Sequence, residues 1–527
     1  MIGPETPPHP QPPLSQRRAL LLALLSGLLI ALSFPLPGWS PLAWIALIPL
    51  LIALEGQSSR SAFRLGFVTG LCAYAGLLYW VIIVMTDYGH LPLFASIPLW
   101  LLLSAWLALF YGLASWTAVL GKQQGVKWVL LLPLVWVGAD YLRSMLLTGF
   151  PWTMLGHSQY RLLPLIQVAD ITGVYGITAL IVLANAVFYR IMRALAGAQV
   201  PYPAKSAITL VLFMAAVFWY GFHRLNSPLP EKPPLRVALI QGNIDQSNKW
   251  SPAFREATLD IYSSLSRQAA DRGPVDLVVW PESAAPFFFQ DETPAANRIR
   301  TLTRELNASL LFGSPATEIR NGKLAYLNSA FLLDRNGNLL GRSDKTHLVP
   351  FGEYVPLARL FPFVHKLVHG IGDFVPGKQI QPLEPGGAPL GVLVCYEAIF
   401  PEMGRAHVNS GSRVLVNITN DAWFGRSSAP YQHLSMAAFR AVETRTPLIR
   451  AANTGITSIV DQNGHIKGMT SLFKEAVMLG EVVPGSADAP YLRIGDLFAQ
   501  GCLGLSGLIL LVPWWRQRRR QPTPQTP

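Results

Sequence analysis

Long apolar runs dominate the chain from about residue 18 to residue 222 and return once near 495–515. A membrane-crossing helix needs about 20 mostly apolar residues. By that measure the sequence predicts spans at roughly 18–35, 39–55, 62–86, 92–120, 127–148, 164–195 and 205–222, with a last one near 495–515. That makes about eight spans, with Pro35-Leu36-Pro37-Gly38 as the turn of a helical hairpin between the first two. Between 223 and 494 the pattern changes. Apolar runs shorten to strand length at 235–240, 275–280, 309–313, 329–333, 391–395 and 414–417. Helical stretches at 253–272 and 430–445 separate several of them, which predicts an α/β arrangement. Asn336-Gly337 and Asn463-Gly464 mark tight turns, the second within a hairpin. The fold class is therefore a multi-span α-helical membrane domain joined to an α/β domain.

Composition agrees. Of 527 residues, 51% are hydrophobic and only 14% charged, which excludes a wholly soluble protein. The net charge of +12 does not point to nucleic acid, because the basic residues flank apolar runs instead of forming one stripe. Arg17, Arg18, Arg60, Arg64, Lys122, Lys127, Arg190, Arg193, Lys205 and the arginines at 516–520 fall on one side if the spans alternate. The opposite short loops hold Arg143 and Arg161. By the positive-inside rule both termini are cytoplasmic and the segment 223–494 lies on the far side, the periplasm of a bacterial inner-membrane protein. The expected organisation is a disordered proline-rich start at 1–16 and a transmembrane domain of about seven helices at 17–222. A periplasmic catalytic domain follows at 223–494, then a C-terminal span at 495–515 and a basic cytoplasmic tail at 516–527.

The candidate chemistry sits where strand-like runs end. Cys72 and Cys502 lie inside apolar spans, so Cys395 is the one cysteine of the polar half. No disulfide framework and no cysteine cluster with metal-ligand spacing is implied. Cys395 closes the run at 390–394, Glu282 follows Trp280-Pro281, and Lys345 follows Asp344. A thiol of ordinary pKa, about 8.5, is mostly protonated at neutral pH and needs a base or a cation beside it. Glu282 can supply the base. Lys345 can stabilise the thiolate and then the oxyanion of a tetrahedral intermediate, with the Tyr396 N–H as a second donor.

These segments carry a resemblance. Trp280-Pro281-Glu282, the stretch from Asp344-Lys345 to Glu353, and Cys395-Tyr396-Glu397 resemble the three signatures of the nitrilase superfamily, whose members use a Glu–Lys–Cys triad on an αββα sandwich. Gln241-Gly242-Asn243-Ile244 through Lys249-Trp250, the stretch Lys345 to Pro356, and Asn417 to Gly425 resemble its membrane-bound branch, the apolipoprotein N-acyltransferases. So do Gly149-Phe150-Pro151-Trp152 and Asp170 to Gly176 in the membrane half. The resemblance implies a ping-pong reaction. Cys395 takes an acyl chain from a phospholipid, the sn-1 chain of phosphatidylethanolamine, and passes it to the N-terminal amine of an S-diacylglyceryl-cysteine on an apolipoprotein. No cofactor or metal is implied. Glu353, Tyr396 and Glu397 become supporting residues, with Glu353 orienting Lys345. Trp250 and Trp423 fall at substrate-binding positions near the entrance.

Other readings stay open at this level. A hydrolase of the same fold, a membrane-anchored amidase, would use the helices as an anchor only. A transporter would need charges along a pathway inside the spans, and few are present. The apolar segments at 286–289 and 361–364 either pack in the soluble core or form a lid at the outer leaflet. Asp140 and Arg143 read as an interfacial ion pair and His347 as structural. His365 and His369 have helical i,i+4 spacing without a third metal ligand. The chain contains its full site, so a monomer is expected.

Overall fold

The computed structural model describes residues 13–197, 201–228, 230–247, 249–355 and 373–519, with side chains as far as Leu511. The first half is helical: α1 (Gln16–Leu32), α2 (Ile48–Ala53), α3 (Ser59–Leu77), α4 (Trp80–Ile83), α5 (Leu93–Gln123), α6 (Trp128–Met145), α7 (Leu163–Ile166), α8 (Ala169–Thr172), α9 (Val174–Leu195) and α10 (Ala204–Leu225). Among the described residues, α5, α6, α9 and α10 are long and apolar enough to cross a membrane. The pair α3 and α4, bent by 53°, makes a fifth crossing if it is one span.

The sequence pattern suggests three more, at 18–35, 39–55 and 495–515. Helix α1 covers the first with 17 residues, the helix Leu497–Arg519 covers the last with side chains described to Leu511, and two segments are broken by local features. The segment 164–195 is not one helix. Pro164 starts the short α7, and Gly173, at φ +62°, breaks the chain between α8 and α9. That left-handed conformation suits glycine, and a Cβ there would sit 3.0 Å from the Tyr491 ring. The segment 39–55 divides into a 3₁₀ turn at Ser40–Trp44 and α2, each with a proline in its first turn. Small residues let the long helices approach closely: a Cβ on Gly70 of α3 would meet the Ala108 backbone of α5 at 2.8 Å.

The second half is two sheets and two helical layers. Its elements are β1 (Leu235–Gln241), α11 (Arg255–Asp271), β2 (Leu277–Val279), α12 (Pro294–Leu306), β3 (Ser309–Arg320), β4 (Lys323–Leu333), β5 (Leu339–Asp344), β6 (Leu390–Val394), α13 (Pro401–Asn409), β7 (Val414–Thr419), α14 (Ala429–Thr444), β8 (Leu448–Ala452), β9 (Ser458–Val460), β10 (Ile466–Met469), β11 (Ala476–Val482), α15 (Pro490–Ile494) and α16 (Leu497–Arg519). One sheet runs β11-β1-β2-β3-β4-β5 and the other β10-β9-β8-β7-β6. Strands β1, β2 and β3 are parallel to one another, as are β6, β7 and β8.

Residues that alternate along each strand face opposite ways, and both faces are used. Val237, Leu239, Val279 and Leu311 of the first sheet meet Val392, Val394, Val416 and Ile418 of the second between the sheets. The other face of the first sheet packs on α11 and α12 through Trp280, Phe312, Leu259 and Ile299. The other face of the second sheet, through Leu393 and Leu415, joins α13 and α14 in an apolar core that continues into the membrane helices. The layers are thus αββα, with one helical layer shared with the membrane half. The turns follow local chemistry. Asp334 and Asp461 each accept two backbone N–H groups in their own turn, and the following Gly337 and Gly464 take φ +80° and +83°.

Candidate active site

Three strand ends converge between the sheets. Cys395 is the first residue past β6, with φ +53°. Glu282 lies just past β2, where Gly313 of β3 permits the loop to pass: a Cβ on Gly313 would lie 2.7 Å from the Glu282 Cα. Lys345 follows β5 and is tied by its N–H to Asn328 O at 2.8 Å. All three side chains are buried.

The Lys345 ammonium stands between two carboxylates, 2.9 Å from Glu353 Oε2 and 3.9 Å from Glu282 Oε1. Asn328, in the middle of β4, bridges the same pair by donating to Glu282 Oε1 and to Glu353 Oε1, each at 2.8 Å. The Asn420 N–H donates to Glu282 Oε2 at 3.0 Å, and the Val349 N–H to Glu353 Oε2 at 2.7 Å. Burial opposes the Lys345 charge, but Glu353 and Glu282 hold its ammonium above the ordinary lysine range. Glu353 thus lies directly beside Lys345.

The thiol behaves differently from a pre-formed thiolate. Burial pushes the Cys395 thiol up to about 12, with Glu282 adding to the effect, Lys345 opposing it, and Thr419 sharing a side-chain hydrogen bond. Cys395 is a neutral thiol at rest, so its proton must leave as it attacks.

Glu397 joins the nucleophile loop to the lysine loop. Its Oε2 accepts from the Val394 N–H at 2.7 Å. Its Oε1 accepts from the backbone N–H of Thr346 at 2.7 Å and of His347 at 3.0 Å. Tyr396 reaches the membrane half, donating from its hydroxyl to Gly149 O at 3.3 Å. His347 packs 3.9 Å from the Phe400 ring, and burial with Lys345 nearby lowers it to about 4, which leaves it neutral. Trp250 and Trp423 are half-buried, and the ring of Trp423 meets Tyr88 of the membrane half at 5.2 Å.

Of the two apolar segments, 286–289 supplies Phe287 and Phe289 to the core under the first sheet. The segment 361–364, and with it His365 and His369, lies outside the described residues. Arg143 and Asp140 form the expected ion pair. Arg143 is buried, 3.1 Å from Asp140 Oδ1, and donates to the carbonyls of Phe150 and Trp152.

Sequence reasoning missed several neighbours. Lys249 is buried and donates to Glu282 O at 3.0 Å. Burial pulls it down to about 8 against the attraction of Glu282 and Cys395. Asn328 and Arg450 each interrupt an apolar strand, and a polar residue inside a buried strand was the available signal.

Comparison with known proteins follows the same division of the chain. Residues 26–187 match the family described as apolipoprotein N-acyltransferase N-terminal domain, and residues 236–489 match the carbon-nitrogen hydrolase family. The apolipoprotein N-acyltransferase of Geobacter metallireducens is 57% identical over 502 residues, 95% of this chain and 96% of the relative. That of Vibrio vulnificus is 33% identical over 513 residues, 95% of this chain and 97% of the relative. A solved nitrilase-superfamily amidase from Nesterenkonia aligns with 52% of this chain and 98% of its own at 23% identity, with a TM-score of 0.38.

Proposed function

We infer the function from one premise: this chain belongs to the apolipoprotein N-acyltransferase family. It is accordingly an N-acyltransferase of lipoprotein maturation, a bacterial inner-membrane enzyme with a lipid acyl donor and a lipoprotein acceptor. Beyond that premise, we propose the assignment of roles within the site. Cys395 is the nucleophile, Glu282 the general base and acid, and Lys345 the cation facing the oxyanion. The observation that carries this assignment is the buried Lys345 ammonium held by Glu282 and Glu353, with the Cys395 thiol in its field.

The steps balance. Glu282 takes the thiol proton as Cys395 Sγ attacks the ester carbonyl of the phospholipid. The oxyanion forms toward Lys345 and the Tyr396 N–H. The C–O bond breaks, and the leaving alkoxide takes the proton from Glu282, giving a lysophospholipid and a thioester on Cys395. The free α-amine of the diacylated cysteine then attacks the thioester and loses a proton to Glu282. The C–S bond breaks and the thiol is restored. The donor in this reading is the sn-1 chain of phosphatidylethanolamine. The catalytic domain is periplasmic, both termini are cytoplasmic, and the enzyme is a monomer. The core shared with the membrane helices supports a site kept dry beside the bilayer, which protects the thioester from water.

The test is acylation of a synthetic diacylated lipopeptide by the purified full chain with phosphatidylethanolamine vesicles. Wild type should convert the peptide and Cys395→Ser should give no product. Glu282→Gln should lose about 100- to 1,000-fold in rate. Product formation by Cys395→Ser at the wild-type rate contradicts the assignment. A label carried only by the sn-2 chain that appears in the product contradicts the donor position.

A further inference from the structure

Cys395 holds a left-handed backbone conformation, φ +53°, that L-residues rarely adopt. Such strain persists only where the surroundings fix it. Here the fixing groups lie on the carbonyl. His433 Nε2, from α14, is 3.2 Å from Cys395 O, and Asn417 Nδ2, from β7, is 3.3 Å from the same oxygen. Asn417 Nδ2 also donates to Leu393 O at 2.8 Å.

A buried charged pair seats both donors. Arg450, on β8, donates to Asp421 Oδ2 at 2.6 Å, to His433 Nδ1 at 3.1 Å, and to Asn417 Oδ1. Its Nε donates to Ile456 O at 3.2 Å. Asp421 Oδ1 lies 3.2 Å from His433 Nδ1 and accepts from Thr419 Oγ1 at 3.0 Å. The side chains of His433, Asp421 and Arg450 are essentially closed to solvent. Burial and the Arg450 charge hold His433 below the ordinary histidine range, so the ring is neutral. A neutral ring that serves the Cys395 carbonyl carries its proton on Nε2 and accepts from Arg450 on Nδ1.

The consequence follows from peptide geometry. In a trans, planar peptide the carbonyl of one residue and the N–H of the next point in opposite directions. Fixing Cys395 O on the His433 side therefore aims the Tyr396 N–H away from it. We propose that His433, seated by an Arg450 that Asp421 holds in place, is a positioning residue that with Asn417 fixes the Cys395 carbonyl and thereby aims the Tyr396 N–H at the oxyanion of both tetrahedral intermediates. The proposal rests on the reading of Cys395 as the nucleophile. It assigns catalytic weight to a cluster that touches no substrate.

The experiment compares lipopeptide acylation with alkylation of Cys395 by iodoacetamide, a displacement that forms no oxyanion, in the full-length enzyme. His433→Leu should lower kcat about 100-fold, the worth of one oxyanion donor. Its KM and alkylation rate should stay within about threefold of wild type. His433→Gln, whose amide nitrogen reaches about as far as Nε2, should recover kcat to within about tenfold. Wild-type kcat in His433→Leu overturns the proposal. So does equal loss in the leucine and glutamine variants, or a parallel fall of kcat and alkylation. Should the leucine variant not fold, Asn417→Ser is read in the same two assays. Loss of kcat with alkylation intact supports the proposal, and loss of both or of neither overturns it. Cys395→Ala separates the two levels. If it stays active, the nucleophile assignment fails. If it is dead while His433→Leu is active, only the positioning role fails.

Discussion

At the residue scale the site runs on a protonated nucleophile and a fixed cation. Because burial places the Cys395 thiol near 12, its thiolate fraction at neutral pH is very small, and Glu282 must remove the proton during attack. Iodoacetamide should therefore alkylate Cys395 at a rate that climbs about tenfold per pH unit between about pH 7 and 9 without levelling. A plateau near or below about pH 8.5 would mean that the thiolate is already formed. Lys345→Met would leave Glu282 and Glu353 buried without their shared cation. Acylation should fall about 1,000-fold and folding stability by about 3–5 kcal/mol, read from initial rates and thermal unfolding. A variant that melts and turns over like wild type would refute the electrostatic role. Glu282 and Cys395 could be singled out in the sequence because each lies just past an apolar run, and Lys345 because its segment resembles a nitrilase signature. Lys249, Asn328 and His433 could not be, because they meet the site only once β1, β4 and α14 converge from separate parts of the chain.

At the element scale the second sheet and the membrane half share one helical layer. Helix α14 is buried over nearly its whole circumference, since it packs on the second sheet and on the membrane half together. Its neighbour α13 carries His407, which burial lowers to about 4. Its proton-binding sign is fixed. Between about pH 4 and 6.5 the unfolded chain binds a proton that the folded chain refuses, so stability rises with pH across that window. Lowering the pH from about 7.5 to 5 should cost about 2 kcal/mol through this histidine alone. His407→Gln should remove that part of the acid sensitivity, measured as the difference in thermal unfolding between the two pH values. An unchanged difference would count against it. The hydrophobic pattern marks β1, β6, β7 and α11 nearly as they stand, covers only parts of β3 and β4, passes over β5, β8 and β11, and joins α7, α8 and α9 into one span. An apolar run records burial, not continuity, and the single residue Gly173 decides the break.

At the scale of the whole molecule the two halves are riveted by polar groups. Asp170 of α8 accepts from Arg445 Nη2 at 2.6 Å, just past α14, and from Arg224 Nε at 3.0 Å and the Tyr220 hydroxyl at 2.8 Å, both on α10. Asp170→Asn would strand a buried arginine and should lower stability by about 3–5 kcal/mol, seen as a fall in the unfolding temperature with Cys395 alkylation intact at low temperature. The same junction places the Phe150–Trp152 loop of the membrane half beside Tyr396 and His433. The motifs around Trp152 and Asp170 were visible in the sequence, but their pairing with the second half was not, because Asp170 and Arg445 lie 275 positions apart. The central claim is that the acyl chain passes through a thioester on Cys395. Its most direct test is intact-protein mass spectrometry of the full chain after incubation with phosphatidylethanolamine, beside Cys395→Ser. The account predicts an added acyl mass that hydroxylamine removes, that a diacylated lipopeptide discharges, and that the serine variant lacks. Lipopeptide acylation at full rate by Cys395→Ser, with no acyl mass on either protein, would contradict it.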